Sequence, residues 1–262
     1  FHAPQRKRGE DMGKLIAVAN QKGGVGKTTT CVNLCAALAR RNRSVLLVDC
    51  DPQGNSTSGM GASKEYMPNI YDLLVRGTPA ADCVVNTPYG DVLPSNKELS
   101  GATVELVDME NREFILKTAL LSVKENYDYI FIDCPPSLEL LTVNALTAAD
   151  GLLIPVQCEY YALEGIADLM TTFRLTKKKL NPALEIQGIV LTMYDGRTNF
   201  SEEVAAEVQK FFGESVYKTR IPRNVRIAEA PSHGEPVIKY DRLSKGSRAY
   251  LHHADELIRR EE

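Results

Sequence analysis

One stretch restricts the fold of this chain more than any other: Asn20-Gln21-Lys22-Gly23-Gly24-Val25-Gly26-Lys27-Thr28-Thr29-Thr30. It follows the apolar run Leu15 to Ala19 and precedes a helical pattern of Val32, Leu34, Cys35, Leu38 and Ala39. Strand, glycine loop and helix in that order let backbone N–H groups turn onto phosphate oxygens beside the positive end of the helix. In such a loop Gly23, Gly24 and Gly26 supply the permissive backbone, Lys27 holds the β and γ phosphates, and the Thr28 hydroxyl binds Mg²⁺. A glycine turn with a solvated lysine is the plain alternative, and the GKT triplet between strand and helix disfavours it. The loop departs from G-x-x-x-x-G-K-[ST] at adjacent positions: Gln21 stands where the first glycine belongs, and a second lysine, Lys22, follows it.

The rest of the chain alternates short apolar runs with longer segments of helical period, the signature of βαβ units and a largely parallel sheet. Strands are expected at Leu15–Ala19, Ser44–Val48, Tyr129–Ile132, Gly151–Val156 and Ile186–Thr192. Helices are expected at Glu139–Ala148, Leu163–Leu180, Ser201–Phe212 and Lys245–Arg260. The predicted fold is a single α/β domain over 13–262, a P-loop NTPase with a central, mostly parallel twisted sheet flanked by helices. Residues 1–12, FHAPQRKRGEDM, read as a basic extension outside that domain.

Three polar segments fall at the carboxyl ends of predicted strands, the edge where open α/β sheets bind ligands. Asp133, ending YIFID, is the candidate carboxylate for the Mg²⁺ shell, with a turn cap as its bland alternative. The residue after it is Cys134 rather than a glutamate that activates water, so another group must orient the nucleophile. Asp51 is the candidate for that task; Asp49 is placed closer to Mg²⁺ or holds the loop. Either aspartate can instead brace the Pro52-Gln53-Gly54-Asn55 turn. A dinucleotide fold is excluded by the missing G-x-G-x-x-G and by Lys27-Thr28 after Gly26.

Charge adds a second signal. The formal net charge is −3, yet Lys218 to Arg248 holds eight basic residues against three acidic ones. A basic surface is thereby concealed in an acidic total. The six cysteines, Cys31, Cys35, Cys50, Cys83, Cys134 and Cys158, form no C-x-x-C pair and read as small buried hydrophobes. No apolar run approaches the roughly eighteen residues of a membrane span, and a cytoplasmic protein is expected.

Taken together, KGGVGKTTT, LLVDCDPQGNSTSG, YIFIDCPPSLELLTVNAL, PVQCEYYALEG, LTMYDGRT and IPRNVRIAEAPSHG resemble the ParA/Soj partitioning ATPases, within the wider deviant-Walker group that includes MinD. The resemblance spans about Lys14 to Arg260. It implies ATP and Mg²⁺ as ligands, with Lys22, Gly23, Gly24, Val25, Gly26, Lys27, Thr28 and Thr29 on the phosphates. It further implies that Thr28 ligates the metal, Asp51 orients water, and Pro222 and Asn224 meet the adenine. Lys22, which sequence alone would allow to be solvated, is implied to reach across an ATP-sandwiched homodimer to the partner's nucleotide, as a trans-acting arginine finger does.

The implied partners are a second copy of the chain, non-specific double-stranded DNA and a ParB-type centromere-binding protein that accelerates hydrolysis, in a nucleoid-associated setting. Arg197 and Arg226 match DNA-contacting positions, with Arg223, Lys245 and Arg248 as weaker candidates. Three other classes fit the sequence less well. A MinD-like membrane regulator needs an apolar, basic C-terminal helix, whereas this tail is polar and acidic, so no stable membrane association is expected. An iron–sulfur carrier lacks a second cysteine in register with Cys134. A small-molecule ligase lacks a recognisable substrate motif.

Overall fold

The computed structural model describes residues 13–159 and 164–261. Tyr160 to Leu163 of the PVQCEYYALEG segment, the basic extension 1–12 and Glu262 lie outside the described residues.

Seven strands form one sheet: β1 Lys14–Val18, β2 Val45–Asp49, β3 Val85–Thr87, β4 Gly90–Leu93, β5 Tyr129–Asp133, β6 Gly151–Gln157 and β7 Glu185–Thr192. Their order is β3-β4-β2-β5-β1-β6-β7, parallel throughout except for the β3–β4 hairpin at one edge. β2, β5 and every residue of β6 but its last are buried. Parallel strands covered on both faces read as continuous apolar runs for this reason.

Alternate residues feed two cores. Ile16, Val18, Leu47 and Phe131 pack under helix α1 (Lys27–Ala39) and the C-terminal helix Lys245–Glu261. Leu15, Ala17, Leu46, Ile130 and Ile154 face the helices Leu140–Ala148 and Glu164–Lys179. A fully buried Leu such as Leu34 or Leu46 contributes about 1.5–3 kcal/mol. The C-terminal helix spends its apolar side, Tyr250, Ala254 and Leu257, in the first core, which leaves that side unavailable to a bilayer. Among the described residues no helix is long and apolar enough to cross a membrane.

The expected strands and helices all form, with ends moved by one or two residues. Two of those shifts matter, because Asp49 and Asp133 turn out to be the last residues of their strands rather than the first of their loops. The β3–β4 hairpin was not expected. Its strands have three and four residues and are half exposed, so they carry no apolar run.

The topology fixes where a ligand can sit. β1 is flanked by β5 on one side and β6 on the other, and its loop opens into α1 where the crossover direction reverses. That is the switch point of an open α/β sheet.

Candidate nucleotide site

Between β1 and α1, Gly24 (φ 75°) and Gly26 (φ 92°) adopt left-handed backbone, Gly26 as the N-cap of α1. L side chains rarely adopt this geometry, and it turns successive N–H groups toward one point. No side chain caps the helix, so its first N–H groups remain for an anion. A Cβ built on Gly23 or Gly24 meets no atom within 4 Å, so the space beside both residues is open.

Lys27 is 7% exposed and its Nζ donates to the Lys22 carbonyl at 3.0 Å. Burial lowers its pKa, and the nearby Asp133 carboxylate partly restores it. Phosphate would supply what this ammonium lacks, a full counter-charge at hydrogen-bond range.

Parallel register places Val18, Asp133 and Asp49 side by side on β1, β5 and β2. Their side chains therefore leave the sheet on the same face, beneath the start of α1. The two carboxylates are used differently. Asp49 Oδ2 accepts from the Thr57 N–H (2.8 Å) and hydroxyl (2.7 Å), and Oδ1 accepts from the Asp51 N–H (3.1 Å). Of the two uses open to Asp49, near the metal or holding the loop, its hydrogen bonds serve the second, since they engage the loop after β2.

Asp133 is fully buried, and no donor meets either of its oxygens at hydrogen-bond geometry, although the Thr28 and Ser56 hydroxyls lie near it. Burial first, and the Asp49 charge second, push the Asp133 pKa up to about 7, while the Thr28 and Ser56 hydroxyls oppose the rise. A buried carboxylate without donors, facing a threonine at the head of the helix, fits the oxygen-rich, partly hydrated shell of magnesium.

A pH dependence follows. The folded state holds a proton on Asp133 that the unfolded chain, titrating near 3.8, releases. The nucleotide-free protein should therefore gain stability as pH falls from 8 through 7 toward 4. Asp133→Asn is expected to stabilise the nucleotide-free protein at pH 8 by about 1–3 kcal/mol and to flatten that dependence, as read by urea unfolding at pH 8 and pH 5. Identical pH profiles for the two proteins contradict the assignment.

Asp51 is 9% exposed, and its Oδ1 accepts from the Gln53 N–H at 2.9 Å. Its carbonyl accepts from the Ser95 hydroxyl (2.8 Å) and the Gly54 N–H (2.9 Å). Gly54 (φ 61°) is confined by Ser95, whose carbonyl lies 2.7 Å from where a Cβ would stand. Hydrogen bonds brace the loop around Asp51, whose Oδ2 makes no hydrogen bond among the described residues.

Two residues of the site escaped sequence reasoning. Asn20 accepts the Lys22 N–H (3.0 Å) and donates to the Pro155 carbonyl (2.8 Å), joining the loop to β6. Thr192, closing β7, donates to the Val25 carbonyl at 2.8 Å. Each lies at a strand end, but neither belongs to a residue class that announces chemistry. Beyond Thr192 the chain returns beside itself: Tyr194 and Pro222 form a bridge, and the Arg223 N–H donates to the Tyr194 carbonyl at 3.0 Å. Pro222 and Asn224 are thereby held on the same side as the loop, with Asn224 Oδ1 capping the short helix Val225–Glu229 through the Arg226 N–H.

The basic candidates occupy an exposed surface but fall into separate groups. Arg197 makes a two-pronged pair with Asp195 (2.9 and 2.7 Å), and that pair with Arg197 holds the Asp195 pKa down to about 2. Arg223 lies near enough to Asp195 to add to this effect. Arg226 pairs with Glu229 (2.8 Å) and Asp241 (3.4 Å). Lys245 and Arg248 line a separate groove of about 1220 Å³ with Lys218, Arg220 and Arg259.

Cys134 is buried, and burial drives its thiol pKa upward. It packs as a small hydrophobe rather than a thiolate ligand.

A glycine loop opening into an uncapped helix, a buried lysine and an orphan carboxylate at the sheet's switch point define a P-loop nucleotide-binding protein. A family model described as an AAA domain matches residues 13–186. The chain is 57% identical over 249 residues to the sporulation initiation inhibitor protein Soj of Bacillus subtilis, covering 94% of this chain and 98% of that protein. It is 51% identical over 253 residues to the chromosome partitioning protein ParA of Caulobacter vibrioides, covering 95% of each. Among solved structures, a cobyrinic acid a,c-diamide synthase from Mycobacterium smegmatis with bound ADP and magnesium superposes with a TM-score of 0.83 at 38% identity, covering 95% of each chain. The chain belongs to the ParA/Soj family of partitioning ATPases.

Proposed function

We propose that this chain is an ATP-driven DNA-partitioning switch. ATP with Mg²⁺ joins two copies face to face, the dimer holds double-stranded DNA without sequence preference, and hydrolysis stimulated by a ParB-type partner separates the copies. Residues 22–29 would cradle the phosphates, Thr28 and Asp133 would hold the magnesium, and Pro222 and Asn224 would border the base. Held there, magnesium would supply positive charge against the charge that develops on the phosphates. Asp51 would orient the attacking water from its braced loop. Arg197, Arg226, Arg223, Lys245 and Arg248 would contact DNA phosphates.

The observation that carries this reading is the division of labour between the two lysines. Lys27 turns into its own loop, whereas the Lys22 ammonium meets Glu159 beyond β6 and stays about one-third exposed, so that a second chain could approach it. An ammonium so placed, held only by a partly exposed ion pair, can be given up to serve another chain's phosphates.

Lys22→Ala is expected to remain monomeric in sedimentation velocity with a non-hydrolysable ATP analogue, under conditions that dimerise the parent. Arg226→Ala should dimerise normally, bind DNA more weakly, and lower the slope of log affinity against log salt by about one for each lost phosphate contact. The reading is abandoned if DNA affinity is the same with ATP as with ADP across the salt titration.

A further inference from the structure

The Lys22 ammonium forms an ion pair with the Glu159 carboxylate, two residues beyond β6. The same strand end holds the Lys22 backbone, since Asn20 links the Lys22 N–H to the Pro155 carbonyl. Cys158 and Glu159 are themselves anchored, with the Cys158 N–H donating to the Thr192 carbonyl at 3.2 Å and the Glu159 N–H to the Gln157 carbonyl at 2.9 Å. Lys27 fixes a third side by donating to the Lys22 carbonyl. The surplus lysine is thus held by its own chain at both backbone and side chain.

We propose that Glu159 is a positioning residue that parks Lys22 in cis in the nucleotide-free monomer, and that its displacement by the partner's nucleotide is part of the threshold for dimerisation. The inference rests on the reading of Lys22 as a trans-acting group. The side chain that lies against Glu159 of its own chain must leave that carboxylate to extend to phosphate on a second chain, so the two contacts compete. The competition is graded by charge and solvent. The cis pair is about one-third exposed on each side (36% and 31%), and such pairs contribute only about 0.2–1 kcal/mol. A triphosphate closed into an interface offers more negative charge in a drier setting, where the same ammonium interacts more strongly. A weak cis contact therefore holds Lys22 against solvent yet yields to a nucleotide-loaded partner. Differential affinity of this kind is what allows a ligand to shift a two-state equilibrium.

Two measurements test it on the full chain. Carbodiimide converts a carboxylate and an amine in contact into an amide, taking up the released water as its urea. It should join Glu159 to Lys22 in the nucleotide-free monomer, detected by peptide mass spectrometry, and the yield should fall when a non-hydrolysable ATP analogue is added. Glu159→Gln keeps the shape and removes the charge. Because a dimer releases two cis pairs, the variant's dimer dissociation constant with the analogue should be about 2- to 30-fold lower than the parent's. Absence of the amide in the monomer, or a variant that dimerises no more readily than the parent, overturns the proposal while leaving the trans role of Lys22 intact. If the amide forms but Lys22→Ala dimerises as the parent does, the trans reading falls, and the threshold role of Glu159 falls with it.

Discussion

Lys27→Ala is expected to weaken ATP binding by about 10²- to 10³-fold, with hydrolysis falling to background. No other cation is buried beneath the loop: among the described residues Lys27 is the lysine at the head of α1, 7% exposed, with its ammonium on the Lys22 carbonyl. Other donors can approach the phosphates from the backbone, but none carries a full charge into that space. The fold should tolerate the change, because burial already disfavours the charged form of Lys27 and its removal relieves that cost. Titration calorimetry reads the affinity, and thermal unfolding without nucleotide reads the fold. A variant that binds ATP within a few-fold of the parent is incompatible with the site described above.

Asp51→Asn should separate binding from turnover. The amide oxygen of asparagine can still accept the Gln53 N–H that the carboxylate accepts now, so the loop after β2 keeps its shape. What disappears is the negative charge at a position suited to orient water. Loss of such a group typically costs about 10²- to 10⁴-fold in rate. The expected variant binds ATP and dimerises as the parent does, hydrolyses slower by that factor, and stays on DNA after ParB-type stimulation. Single-turnover phosphate release and DNA dissociation measured on the same preparation check both halves. If turnover is unchanged, Asp51 is only the brace of its turn, and the water is oriented from elsewhere.

The parts of the site that were legible in the sequence share a physical reason. A glycine loop between an apolar run and a helical pattern is a local arrangement, and its chemistry is carried by residues adjacent in the chain. The alternating elements were legible because parallel strands buried on both faces must be apolar throughout. The β3–β4 hairpin was not, because a short, half-exposed edge strand obeys neither periodicity. Asn20 and Thr192 escaped for a different reason: each acts through one hydrogen bond to a distant backbone carbonyl, and side-chain identity alone does not disclose the partner.

The aspartates show where local reading stops. Asp133 and Asp51 could be given candidate roles from their strand ends, but Asp49 stood between two, the metal and the loop. Register decided it. Pairing β2 with β5 set Asp49 beside Asp133 in a buried space, and Thr57 supplied donors to only one of the two. The satisfied carboxylate became a brace and the orphan became the metal candidate, since a buried charge without donors requires a cation or a proton.

By itself, then, the chain's order of residues determined the strand, the loop, the helix and the presence of one lysine beyond what a phosphate loop needs. Tertiary structure decided which carboxylate that lysine meets within its own chain. Glu159 stands 137 residues further along the chain and meets Lys22 only because β6 pairs with β1. No local pattern encodes such a contact, because the energy that creates it lies in the packing of the whole sheet.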